Sequence, residues 1–287
     1  MPSPVVDAHV HLFPPDVIAG KDHYCERDAW FGVTHAAWPV ERFPQAEHLL
    51  ESMDEAGISM AVIAAWPWTD PGHCRAHNDW LAEVAATSPR LAWLAIVNPA
   101  DAGAPQELER VREMGAVGIG ELNADAQGFA WEREGDVREL AEMATTLDVP
   151  IMAHVSEPVG HDYPGKGTAT PPKILAFLEQ HPDLRFVAAH WGGGLPFYEL
   201  MPEVGLALRN VIYDTAASTY LYRPEVFDIV NRIVGPGRVV WGSDYPVLGQ
   251  RRFLAKARSI LDVEAADAVV GANAARVYGL RVPEVAT

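Results

Sequence analysis

Residues 5–11 read Val-Val-Asp-Ala-His-Val-His, a short apolar run that closes on two histidines one residue apart. Seven residues are a strand's length, and Val at three of the positions favours the extended chain. In a strand, residues i and i+2 share a face and stand roughly 6 to 7 Å apart, so His9 and His11 present two imidazoles side by side. The same design recurs along the chain. Further apolar runs lie at Ala61–Trp66, Leu91–Asn98, Ala116–Leu122, Val149–Val155, Arg185–His190, Val211–Thr215 and Val239–Ser243. Segments with helical spacing separate them: Pro44–Ala56, Cys74–Ala86, Pro105–Met114, Asp136–Leu147, Pro171–Gln180, Pro224–Ile233 and Gly249–Ile260, with a closing helix over Glu264–Tyr278. Eight strands that each precede a helix predict an α/β fold, a single (β/α)8 TIM barrel spanning residues 1–287. One long stretch, Phe13 to Phe43, interrupts the alternation directly after the first strand. Its residues 14–43 are expected to form a loop insertion that acts as a lid over the barrel mouth or as an interface, a homodimer contact being one use of it.

Composition narrows the function. The chain has 287 residues, 49% of them hydrophobic, and 22 Lys and Arg against 39 Asp and Glu give a formal charge of −17. Such a field repels phosphate backbones and anionic lipid surfaces, so neither a nucleic acid nor a membrane is an expected partner. Two cysteines, Cys25 and Cys74, are too few for a disulfide framework and suit a reducing, cytoplasmic setting. A small molecule is the expected partner.

In a barrel of this kind the reacting groups sit at the C-terminal ends of the strands. His9 and His11 end the first candidate strand, Glu121 the fourth, His154 the fifth and His190 the sixth, and Asp244 follows the eighth. Each follows an apolar run in which an unpaired charge would be costly, and a shared cation resolves that cost. Strict alternation then predicts that Asp7 points inward with His9 while Val6, Ala8 and Val10 face the helices, and that Val117, Ile119 and Glu121 point inward from the fourth strand. The histidines at 23, 35, 48, 73, 77 and 181 show no such placement and read as surface or packing residues.

At these residues the sequence resembles the amidohydrolase superfamily, and within it the amidohydrolase-related branch that includes aminocarboxymuconate-semialdehyde decarboxylase. The matching pieces are Val-Asp-Ala-His-Val-His at the start, Met-Ala-His-Val-Ser around His154, Ala-Ala-His-Trp-Gly-Gly-Gly around His190, Trp-Gly-Ser-Asp-Tyr-Pro around Asp244, and the closing Gly271–Leu280 segment. The resemblance implies that His9, His11, His154 and Asp244 bind a divalent metal, with zinc expected, and that His190 contacts substrate or carries a proton. Asp244 is also placed to accept a proton from a water and pass it on. Glu121 departs from the decarboxylase-like members. It resembles the strand-four glutamate with which TatD-like hydrolases bridge two ions, so one or two ions are expected; its alternatives are to orient His154 or His190, or to pair with Lys166.

These features predict a metal-dependent hydrolase of a small cyclic or aromatic amide or lactone, acting through a metal-activated water. The alternative is a metal-dependent nonoxidative decarboxylase of an aromatic or unsaturated acid. For substrate binding, the loop after the fifth strand offers His161, Tyr163 and Lys166, and the loop after the seventh offers Arg223. For Lys166 and Arg223 a solvated surface charge is the commoner reading, since most such residues are exposed. Trp191, like Trp66 and Trp68, could stack on a ring or serve as core.

Overall fold

The computed structural model describes residues 3–283. Its strands are Val6–His11 (β1), Met60–Ala64 (β2), Leu91–Ala95 (β3), Gly118–Leu122 (β4), Ile151–Ala153 (β5), Phe186–Ala188 (β6), Val211–Asp214 (β7) and Val239–Val240 (β8). Each pairs in parallel with the next, in sequence order. Backbone bonds complete the ring, with Ala8 N–H donating to Trp241 O at 2.9 Å and Asp244 N–H donating to His9 O at 2.8 Å. This is the expected (β/α)8 barrel. No helix among the described residues is long and apolar enough to cross a membrane.

The core divides at the sheet. Val6, Ala8, Met60, Val62, Leu94, Met152, Val187, Ile212 and Val240 form one buried cluster, and because these residues come from strands all round the ring they fill its interior. A larger cluster, including Val10, Ile63, Ile119, Ile151, Phe186 and Trp241, lies between the strands and the helices. Strands apolar on both faces follow from this two-sided burial.

The expected alternation in β1 and β4 is corrected. Asp7 pairs with Ala61 but Val10 pairs with Ile63, so β1 holds one extra residue and both Ala8 and His9 lie opposite Val62. This bulge lets Val6 and Ala8 fill the barrel while His9 still turns inward. Asp7 instead points out of the barrel, where it accepts from Ser243 Oγ at 2.6 Å and Gln250 Nε2 at 2.8 Å. In β4, Ile119 pairs with Ile151 and Leu122 with Ala153, leaving Gly120 and Glu121 to share the place opposite Met152. Ile119 therefore belongs to the outer core, and Glu121 alone is delivered to the mouth. A period of two cannot reveal an inserted residue when both faces are apolar.

The segment after β1 is helical rather than irregular, with helices at Pro15–Ala19, Lys21–Arg27 and Ala29–His35. Asp28 caps the third of these by accepting from Phe31 N–H at 2.8 Å, and its other oxygen accepts from Thr69 N–H at 3.1 Å, which ties the segment to the loop after β2. Phe31 and His35 are buried against Phe13, Phe43 and Trp66.

Beneath that layer, His77 is held as a neutral ring. Its Nδ1 accepts from Trp68 Nε1–H at 3.0 Å, and its Nε2–H donates to Leu12 O at 3.1 Å, an arrangement that a second ring proton would break. Burial pushes its pKa down from 6.5 to about 3. Below pH 6.5 the unfolded chain takes up a proton that the folded chain refuses, so this group's stabilisation is full above that pH and is lost as the pH falls. Denaturant unfolding should show the wild type losing about 2 kcal/mol more than His77→Gln between pH 6.5 and 5. Equal losses in the two proteins would refute the assignment.

Candidate metal centre

The chemistry of the mouth follows from which ring nitrogen of each histidine is already committed. His11 Nδ1 lies 2.9 Å from Ala64 O, His190 Nδ1 3.2 Å from Ala216 O, and His154 Nε2 3.0 Å from Gly165 O. His9 Nδ1 lies 2.8 Å from Asp214 Oδ2. Carbonyl and carboxylate oxygens only accept, so each of these nitrogens carries the ring proton. The other nitrogen of every ring then turns a lone pair inward. His9 Nε2 and His11 Nε2 are 3.0 Å apart, and so are His154 Nδ1 and His190 Nε2. Lone pairs facing at that distance repel, and two carboxylates sit among them.

Glu121 joins the four rings. Its Oε1 lies 3.0 Å from His154 Nδ1 and 3.1 Å from His190 Nε2, while its Oε2 lies 3.5 Å from both His9 Nε2 and His11 Nε2. Asp244 Oδ1 is 3.5 Å from His11 Nε2 and 3.9 Å from His9 Nε2. Two donor groups result, His9–His11–Asp244 and Glu121–His154–His190, each with its ligand atoms within 4.8 Å of one another. Imidazole nitrogens and carboxylate oxygens fit a divalent transition metal, and the buried, inward lone pairs demand positive charge between them.

The titration behaviour points the same way. Burial opposes charge on His9, yet Asp214 and Glu121 outweigh it and hold its pKa well above the ordinary value. Burial likewise opposes charge on His190, whose bond to Glu121 lifts its pKa to about 9. Burial would raise Glu121, but His9 and His154 keep it well below the usual carboxylate range. The metal-free centre thus holds protons where a cation fits.

Local backbone delivers these groups. Bulges bring in His9 and Glu121, while His190 and Asp244 leave their strands at φ of 57° and 61°, left-handed values uncommon for non-glycine residues. Gly242 has a steric reason to be glycine: a Cβ there would lie 2.6 Å from His9 Cβ and 2.7 Å from Asp214 Oδ1.

A cavity of about 510 Å³ opens above the centre, with His11, Glu121, His154, His190 and Asp244 in its lining. Its walls carry Phe13, Trp30, Trp38, Trp66, Tyr163 and Tyr220, along with His35, His161 and Arg42. His161 and Tyr163 are thus where substrate contact was expected, and His35 lines the cavity as well as filling the core. Three expectations are corrected. Lys166 donates to Val159 O and His161 O at 3.1 and 3.0 Å, so its ammonium staples its own loop rather than pairing with Glu121. Arg223 is exposed and pairs with Glu225. Trp191 is fully buried, donating to Ser218 Oγ at 2.6 Å and packing on Phe227, so it is core. Trp68, with its N–H on His77, is core too.

Sequence reasoning missed two groups. Asp214 ends β7 as His154 follows β5, and the strand-end rule, applied to the seventh strand, would have found it. Arg42 lies 3.9 Å above the Trp38 ring with no carboxylate within ion-pair distance among the described residues. Nothing in its local sequence distinguishes it.

A family model described as Amidohydrolase matches residues 6–280. The chain belongs to the amidohydrolase family. A search of curated proteins gives no match. Among solved structures, 5-carboxyvanillate decarboxylase from Sphingomonas paucimobilis is similar at 18% identity and a TM-score of 0.82, over 97% of this chain and 100% of that one. 2,6-Dihydroxybenzoate decarboxylase from Rhizobium is similar at 19% identity and a TM-score of 0.72, over 97% and 99%. A manganese complex of 5-carboxyvanillate decarboxylase from Novosphingobium aromaticivorans with 4-hydroxy-3-methoxy-5-nitrobenzoic acid is similar at 18% and 0.74, over 97% and 96%. At these identities the likeness establishes the fold.

The contact at Gly242 gives a direct check on the centre of this amidohydrolase. Gly242→Ala should displace the His9–Asp214 pair, destabilise the protein by about 1–3 kcal/mol and lower the metal content found by elemental analysis. Full metal content with unchanged stability would contradict the packing described.

Proposed function

We propose that this amidohydrolase is a divalent-metal-dependent, nonoxidative carboxy-lyase acting on a small aromatic carboxylic acid. The observation that carries the reading is a six-group donor cluster opening into an aromatic-walled cavity whose one guanidinium, Arg42, has no carboxylate partner among the described residues. The named decarboxylases that share the fold support it, one of them with manganese and a nitrobenzoic acid bound. They favour the decarboxylation that the sequence ranks second over the hydrolysis it ranks first, and manganese joins zinc as a metal to test.

His9, His11 and Asp244 would hold the cation, and His154 lies beside them with its Nδ1 3.0 Å from Glu121 Oε1. When bound, the metal supplies a Lewis acid that fixes a substrate oxygen. The chain's own groups do the rest. The aromatic walls orient the ring, and Arg42 meets an anionic substituent. His190, whose Nε2 lies 3.1 Å from Glu121 Oε1, is the proton donor. The bond from the ring carbon to the carboxylate breaks, its electron pair stays on that carbon, the carbon takes the proton, and carbon dioxide leaves. Solvent then restores the proton to His190.

One feature supports hydrolysis as a second reading: the two oxygens of Glu121 each face one donor group, as a carboxylate bridging two cations would. The readings differ in what sits at His190 Nε2, a proton or a second metal.

With hydroxylated benzoates as substrates, the proposal expects one carbon dioxide per product and no heavy oxygen incorporated from labelled water. It further expects one tightly held metal per chain, unchanged in His190→Asn, while that variant loses about 10²-fold or more in kcat. Labelled product from an amide or lactone, with metal falling from two to one in His190→Asn, would favour hydrolysis instead. Arg42→Met should raise KM for a charged substrate about tenfold or more with a smaller change in kcat. An unchanged KM would remove Arg42 from substrate binding.

A further inference from the structure

We infer that Asp214, at the end of β7, is a positioning residue that fixes the tautomer of His9 and so sets the affinity of the centre for its cation. The inference rests on the reading of the centre as a metal site.

Asp214 and His9 are both fully buried. Asp214 Oδ2 lies 2.8 Å from His9 Nδ1, and Oδ1 accepts from Ala216 N–H at 2.5 Å. No basic side chain other than His9 among the described residues lies within ion-pair distance of this carboxylate. A buried charge with so few partners is expensive to keep, and its placement needs a reason. The geometry supplies one. A carboxylate only accepts, so it confines the ring proton of His9 to Nδ1 and leaves the Nε2 lone pair aimed at His11, Glu121 and Asp244. An amide in its place could turn its N–H₂ toward Nδ1, which would permit the opposite tautomer and point an N–H into the donor group.

The rest of the β7 tip is built round this contact. Ala216, whose N–H holds Asp214, offers its own carbonyl to His190 Nδ1 at 3.2 Å. Thr215 Oγ1 bonds both the N–H and the carbonyl of Gly242, each at 3.1 Å, in the turn that leads to Asp244. The absence of a Cβ at Gly242 leaves the space that the His9–Asp214 pair occupies. The seventh strand's tip puts none of its own side chains into the two donor groups, yet it orients members of both. Asp214 is its one charged side chain.

The test uses the full chain. Zinc and manganese dissociation constants would be measured by competition with a chromophoric chelator for the wild type, Asp214→Asn, His9→Asn and the double variant. The expected result is a 10- to 100-fold weakening in Asp214→Asn, with no further weakening when that change is added to His9→Asn. The metal-free Asp214→Asn protein should melt within about 3 °C of the metal-free wild type. A long-range nitrogen–proton correlation spectrum of the zinc-loaded wild type should place the His9 proton on Nδ1, a requirement of the inference that needs no variant to fold. Dissociation constants within twofold of wild type, equal losses in both backgrounds, or a proton on Nε2 would each overturn the role of Asp214. A wild type that binds neither metal would overturn the metal-site reading itself, and this inference with it.

Discussion

Four imidazole lone pairs and two carboxylates are forced together at one end of the barrel, and this arrangement does not balance without added positive charge. Burial makes the imbalance costly, and the committed nitrogens cannot release their protons to the interior without losing Ala64, Ala216, Gly165 or Asp214 as acceptors. In the metal-free state, protons on His9 and His190 supply the charge, held there by Asp214 and Glu121. A divalent cation supplies it with better directionality, since the lone pairs already converge. The site is therefore arranged in advance for its guest.

Holding such a cluster requires a scaffold that does not yield. Apolar side chains fill the barrel below it, so the inward residues nearest the mouth cannot drop into a void. The two bulges show the accommodation the scaffold makes. In β1 and β4 one residue is added at the level where filling must give way to chemistry, so Ala8 still packs while His9 turns inward, and Glu121 enters although Ile119 faces the helices. Each bulge gives up regular strand pairing to aim one side chain.

The eightfold alternation was legible because strands buried on both faces stand out from amphipathic helices, and the polar residues ending those strands were legible because charge after an apolar run is unusual. His9, His11, Glu121, His154, His190 and Asp244 all meet at the mouth for that reason. What was hidden had no such contrast. The bulges change register without changing composition. Lys166 and Arg223 lie in loops, where a lysine stapling its own carbonyls has the same sequence as one that greets a substrate. Trp191 follows His190 directly, but the left-handed backbone there turns consecutive side chains to different sides, the ring into the core and the imidazole into the cavity.

The parts that could choose a substrate differ in origin from the parts that could transform it. The donor groups come from the ends of β1, β4 and β5 and from the turns after β6 and β8, positions the fold itself determines. Trp30, His35, Trp38 and Arg42 come from the helical segment between β1 and β2, which Asp28 ties to the loop after β2 and which buries Val17, Ile18, Phe31 and Phe43 in the outer core. A chain with a charge of −17 repels a carboxylate at long range, so the proposed acid substrate needs a local cation where it enters, and Arg42, stacked on Trp38, is the group of that segment placed to supply it. Changes in the segment can alter which molecule is admitted without moving the metal centre, because no residue of the segment belongs to either donor group. Barrels with the same centre can therefore diverge in substrate while their chemistry stays fixed by the strands.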